Sequence, residues 1–109
     1  MPSFRAGVAI QRSRSGVPPE AVLNAARTAV ATLCPVEDAF VDVAALARTG
    51  LPRVTVRFVV KSSNDLNEDA EAWQIGKALA AAVGNVADWK DLRVFRRSTG
   101  RWVLLEDQG

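Results

Sequence analysis

Arg53-Val-Thr-Val-Arg-Phe-Val-Val-Lys61, then Asn64-Asp-Leu-Asn-Glu-Asp-Ala70, then Arg93-Val-Phe-Arg-Arg-Ser-Thr-Gly-Arg-Trp-Val-Leu-Leu105 are the stretches that decide the fold. In the first, Val54, Val56, Phe58 and Val60 point one way, and Arg53, Thr55, Arg57, Val59 and Lys61 the other. Such period-two alternation predicts a half-buried strand over residues 53–61. In the second, Asn64 or Asn67 can cap a helix, and Glu68, Asp69 and Glu71 set negative charge against its positive end. Ala72, Ile75, Leu79, Ala82 and Val83 continue that helix as an apolar stripe, and Gly84-Asn85 predicts a left-handed stop. Gly76 in mid-helix costs about 1 kcal/mol relative to alanine, which implies close contact with a sheet where a side chain would not fit.

The third stretch reads as two strands, residues 92–97 and 101–106, around Ser98-Thr99-Gly100. A three-residue loop pairs Phe95 with Val103 and Arg93 with Leu105. A bulge after Gly100 would swap the sides of the last strand.

Upstream, Phe4, Ala6, Val8 and Ile10 alternate with Arg5, Gly7, Ala9 and Gln11, which predicts a strand over residues 4–12. Pro18 and Pro19 suit a first helical turn, where a missing N–H is harmless. Val22, Ala26, Ala29, Val30 and Leu33 form a narrow stripe ended by Pro35. Residues 39–46 read as a strand, with a turn at Thr49-Gly50 before Pro52. The order is β-α-β-β-α-β-β. Its first six elements fit the ferredoxin-like split β-α-β arrangement, an antiparallel sheet with two helices on one face. The expected class is therefore α+β, in one domain spanning residues 1–109.

Composition bounds the rest. A chain of 109 residues with 49% apolar and 24% charged content can build a core without disulfide or metal. The single Cys34 rules out an internal disulfide, and no histidine is present to join it in a metal cage or to activate it as a nucleophile. It reads as a small hydrophobe at a helix end. Residues 1–10 lack a signal-peptide apolar run, and residues 78–83 are too short to span a bilayer, so a cytoplasmic protein without membrane contact is expected. The net charge is only +2, yet arginine outnumbers lysine 11 to 3. Arginine suits carboxylate and phosphate contacts.

Catalytic signatures are missing. There is neither histidine nor tyrosine, and no GxxxxGK[ST] or GxGxxG motif. The acidic groups at Glu68, Asp69 and Glu71 belong to a helix start, and Glu37-Asp38 reads as a solvated turn. Glu68-Asp69 could attract a divalent ion but has no third oxygen at diagnostic spacing. Trp73 falls off the main stripe of its helix, Trp89 in the following loop, and Trp102 at the opening of the last strand. They could line a pocket, although packing explains each more simply.

With helices on one sheet face, function falls to the other. If Leu92, Val94, Trp102 and Leu104 face the helices, the open face carries Phe40, Val59, Phe95, Val103 and Leu105. Arg5, Arg53, Arg57, Lys61, Arg93 and Arg97 surround them, and Asp42 is placed to pair with Arg57. The expected partner-binding residues are Phe40, Arg53, Arg57, Val59, Arg93, Phe95, Arg97 and Val103. The expected function is a non-catalytic assembly module, acting as a homodimer or by docking on a protein, with no cofactor. Nucleic-acid binding through the arginine-rich sheet face is a second alternative, not favoured because the third strand lacks the exposed aromatics of RNA-recognition sheets. From Arg53 to Glu106 the strand-helix-hairpin rhythm resembles antibiotic-biosynthesis monooxygenase-like proteins. That resemblance implies a dimeric α/β-barrel with an apolar pocket, either an enzyme or a small-molecule binder.

Overall fold

The structure, a computed structural model, describes residues 1–42 and 51–106. Its elements are β1 (Ser3–Ser13), α1 (Pro19–Ala31), β2 (Val36–Asp42), β3 (Arg53–Val59), α2 (Asp65–Gly84), β4 (Ala87–Ser98) and β5 (Arg101–Leu104). The strands form one antiparallel sheet in the order β2-β3-β1-β4-β5. Residues 43–46 of the expected second strand and the Thr49-Gly50 turn lie outside the described residues.

Alternation settles which face is buried. β1 meets β3 in the register Phe4–Phe58, Ala6–Val56 and Val8–Val54, so identical faces align. These six residues and Val94 are 2% exposed or less. Against them pack Val22, Ala26 and Val30 from α1, and Ala72, Ile75, Leu79 and Val83 from α2. The two helices also pack on each other, so this face of the sheet is their shared floor. Phe4 and Phe58 stack at its centre, with ring centroids 6.0 Å apart.

Both helix starts follow from sequence. Pro19 occupies the first turn of α1. Asn64 caps α2, its side-chain oxygen accepting the N–H of Asn67 at 2.9 Å. The ends differ from expectation. Asn85 is right-handed at φ −75°, its N–H donating to the carbonyl of Ala82 and that of Val86 to the carbonyl of Val83, so no left-handed stop is used. Leu33 lies beyond the end of α1 and is 55% exposed, leaving Leu23 to pack on the core in its place.

Gly76 fulfils its expected role. A Cβ there would stand 2.8 Å from Cγ2 of Val94. Val94 is fully buried and stiff at χ1, so it cannot move aside. Overpacking of this kind costs about 1–3 kcal/mol, which outweighs the ~1 kcal/mol that alanine gains in helix propensity. Gly76→Ala is therefore expected to lower stability by about 1 kcal/mol in urea unfolding, the reverse of the propensity ranking.

The start of β4 was the element least visible in sequence. It begins at Ala87, so Trp89 is a strand residue opposite Ile10 and not a loop residue. The register with β1 slips between Gly7 and Ala9, and again between Ile10 and Arg12. Asp91 sits at φ +56° beside the first slip, as expected where an extra residue must be accommodated. Trp73, placed off the main stripe by spacing, is a core residue, 5% exposed.

One arginine points into the helix side of the sheet. Arg96 donates to Glu68 at 2.7 Å, to Asp69 at 2.9 Å and to Asp65 at 3.2 Å, with its guanidinium carbon 5.3 Å from the Phe4 ring centroid. Glu68 also accepts the backbone N–H of Ser63 at 2.8 Å. These carboxylates, which spacing associates with the helix dipole, thus bolt the first turn of α2 to β4. Cys34, below α1, is half-buried, with its Sγ 3.7 Å from the carbonyl of Val30. Burial, aided by Glu71, pushes its thiol up to about 11.

Candidate interaction face of the sheet

The geometry of the open face depends on the β4–β5 hairpin. Thr99 and Gly100 both have positive φ, +46° and +79°, and Ser98 pairs directly with Arg101. The loop is thus two residues of the type I′ kind, whose twist matches that of the strands. This corrects the three-residue reading. Phe95 pairs with Leu104 and Arg97 with Trp102, so Trp102 and Leu104 share the open face. Val103, opposite Arg96, lies on the helix side of the sheet and is 47% exposed. Leu105 donates its N–H to Val94 and packs on the core. The physical reason is parity, since one residue fewer in the loop inverts every side chain beyond it.

The same parity leaves a β-branched residue in a left-handed position, which costs roughly 1–2 kcal/mol. Thr99→Asn is therefore expected to raise the melting temperature by a few degrees in a calorimetric scan.

The registers place the remaining side chains in rows across the face. One row runs Asp38, Arg57, Arg5, Phe95, Leu104. The next runs Phe40, Thr55, Gly7, Arg93, and a third holds Asp42, Arg53 and Ala9. Val59, opposite Ser3, and Arg97, opposite Trp102, stand beyond the first row. Seven of the eight expected residues, Phe40, Arg53, Arg57, Val59, Arg93, Phe95 and Arg97, thus share this face, and Val103 does not. Lys61 follows the end of β3.

Trp102 is the hub that sequence reasoning placed on the wrong side. Its ring has the guanidinium carbons of Arg5 at 4.2 Å, Arg57 at 5.2 Å and Arg97 at 5.2 Å from the centroid. Arg5 also lies 5.4 Å from the Phe40 ring. Each such contact contributes about 0.5–1 kcal/mol where solvent reaches it. The missed signal was the Thr99-Gly100 dipeptide, since X-Gly between alternating strands marks a two-residue loop.

Charge on this face is mostly unbalanced. Arg57 meets Glu37 at 3.0 Å, which replaces the expected pair with Asp42. Asp42 stands opposite Arg53 instead. Glu37 also accepts from Ser3 at 2.8 Å, and these hydrogen bonds hold its carboxyl below the usual range. Arg53 donates to two backbone carbonyls, Gly7 at 3.1 Å and Asp91 at 2.7 Å, and so keeps its charge. Arg5 has a buried Nε with no acceptor. Burial, with Arg57 and Arg97 nearby, lowers its pKa below the ordinary arginine value, and Asp38 and Asp42 oppose this in part. Burial and Arg93 do the same to Arg53.

Among the described residues no group of three or more His, Cys, Asp or Glu is arranged to hold a metal ion, and Glu68 and Asp69 instead hold Arg96. No helix of the described residues is long and apolar enough to cross a membrane. Compared with protein-family models, curated proteins and solved structures, the chain finds no match.

Proposed function

We propose that the chain is a non-catalytic assembly module with a ferredoxin-like split β-α-β core, to which β5 adds a fifth strand, and that it works by pairing the open sheet faces of two copies. The strand order β2-β3-β1-β4, with a helix following β1 and another following β3, supports the core assignment. The observation that carries the function is the open face itself, where Phe40, Phe95, Trp102 and Leu104 lie among five arginines with no segment of the described chain over them.

Self-complementarity favours a second copy over an unrelated protein. The β2 side of the face carries Glu37, Asp38 and Asp42, and the β4 side carries Arg93 and Arg97. A twofold axis running between β3 and β1, parallel to the strands, lays β2 of one copy over β4 of the other, so acid meets arginine. Covering the half-exposed apolar groups yields on the order of 5 kcal/mol, while association costs roughly 4–15 kcal/mol. The dimer is therefore expected to be weak and concentration-dependent.

Light scattering across a concentration series up to about 1 mM tests this. The mass is expected to rise towards twice 11.7 kDa, and Phe95→Asp or Arg57→Glu should each hold the chain at the monomer. A strict monomer throughout, or association unchanged in both variants, rejects the pairing.

A further inference from the structure

The rows of the open face are not level. Between Phe40 and Arg93 the second row holds only Thr55 and Gly7, so the sheet dips there. The dip is a crater of about 240 Å³ lined by Arg5, Gly7, Phe40, Asp42, Arg53, Thr55, Arg93, Phe95 and Trp102. At about 30 Å³ per water, its volume equals that of roughly eight waters. A flat ring bearing one oxyanion is of that size.

Its chemistry is asymmetric. Three arginines reach the crater against one carboxylate, Asp42. None of the three is in an ion pair among the described residues: Arg53 donates to neutral carbonyls, Arg5 lies against aromatic faces with its buried Nε lacking an acceptor, and the side chain of Arg93 is exposed without a hydrogen bond. Asp42 lies on β2 and Arg93 on β4, three strand spacings apart, or roughly 14 Å at the backbone. The basic end of the crater is thus separated from its acidic edge. Arg5 is pinned between Phe40 and Trp102, so little freedom remains for it to lose on binding. Guanidinium forks facing an unfilled volume are the arrangement that takes carboxylate or phosphate groups.

We propose that this crater binds a small organic anion, its carboxylate or phosphate held by Arg93 with Arg5 and Arg53, and its flat apolar body against Phe40, Phe95 and Trp102. The site is built within one chain and does not require two copies to pair. Paired sheets would close over it.

Titration of the isotopically labelled protein with benzoate, phenyl phosphate, benzyl alcohol and inorganic phosphate, followed by amide and indole NMR signals, tests the proposal. One or both of the aromatic anions should shift Gly7, Thr55, Arg93 and the Trp102 indole to saturation, with Kd near or below about 1 mM. Whichever saturates at the lower concentration identifies the preferred oxyanion. Arg93→Ala removes an exposed side chain, leaves the fold intact and should weaken binding about tenfold. The proposal is overturned if neither anion saturates these signals by about 20 mM, if benzyl alcohol binds as well, or if Arg93→Ala binds unchanged. Inorganic phosphate binding as tightly as phenyl phosphate overturns the assignment to an organic ligand. Anion binding by a chain that stays monomeric removes the dimer alone, and a dimer that takes up no anion removes the crater alone.

Discussion

Replacing Arg96 with alanine is expected to cost the fold about 3 kcal/mol, because it strands a buried carboxylate, Glu68, without its partner. The Arg96 side chain is 20% exposed and that of Glu68 6%, so water cannot readily substitute. The cost is not the strength of one ion pair. It includes detaching the first turn of α2 from β4, since Asp65 and Asp69 meet the same guanidinium. Urea unfolding of Arg96→Ala, Glu68→Gln and the double variant measures it. The double variant is expected to lose much less than the sum of the singles. Strict additivity would show that the two side chains do not act on each other.

The same network gives acid sensitivity a definite sign. Hydrogen bonding from Ser63 and then Arg96 lowers the Glu68 pKa from its ordinary 4.5, and burial opposes this in part. A carboxyl held down by folding adds stability that is fully present above the unfolded value. That contribution is lost as pH falls through the lower folded value. Arg96 itself titrates higher than usual: burial would lower it, but Glu68 and Asp69 outweigh that. It stays charged across the acid range. Stability of the native chain should therefore decline below about pH 4.5, and the decline should be shallower, not absent, in Arg96→Ala, where the Ser63 contact survives.

Gly7→Ala is expected to be the other severe substitution. Gly7 lies in the central strand, and a Cβ there would stand 2.7 Å from the carbonyl oxygen of Val54 and 2.8 Å from Oγ1 of Thr55. One of these is backbone of the paired strand, so relief requires β1 and β3 to part. Their register carries Phe4–Phe58 and Val8–Val54, the middle of the core. A loss of about 3 kcal/mol follows, at the upper end for overpacking. Equilibrium unfolding with fluorescence detection reads it, and a loss below about 0.5 kcal/mol would mean the sheet relaxes locally.

The legible part of this chain was the part governed by unbroken periodicity. β1 and β3 alternate cleanly, and α1 and α2 carry apolar stripes behind recognisable starts, so most of the buried face was readable, with Leu33 wrongly included and Trp73 wrongly left out. What escaped notice depended on single-residue decisions. Trp102, Leu104 and Val103 changed sides because the hairpin loop has two residues and not three. The first half of β4, with Asp88, Lys90 and Asp91 around Trp89, hides a strand because its slips against β1 break the alternation. Alternation after Leu92 and Val94 turns Arg96 to the helix side, but no sequence period shows that three carboxylates on α2 will fold over it. The crater was invisible for a related reason: it arises from Gly7 and Thr55 lying side by side on strands 48 residues apart in sequence.

The shielded thiol of Cys34 has a practical consequence for measuring any of this. With its ionisation displaced to about 11, almost none of it is thiolate at neutral pH, and its sulfur is half covered by the helix above. Maleimide dyes and nitroxide reagents should therefore pass it by and react with a cysteine introduced on an exposed strand position such as Val103. Distances across an assembled pair can then be taken by spin-echo or energy-transfer spectroscopy with the native cysteine left in place.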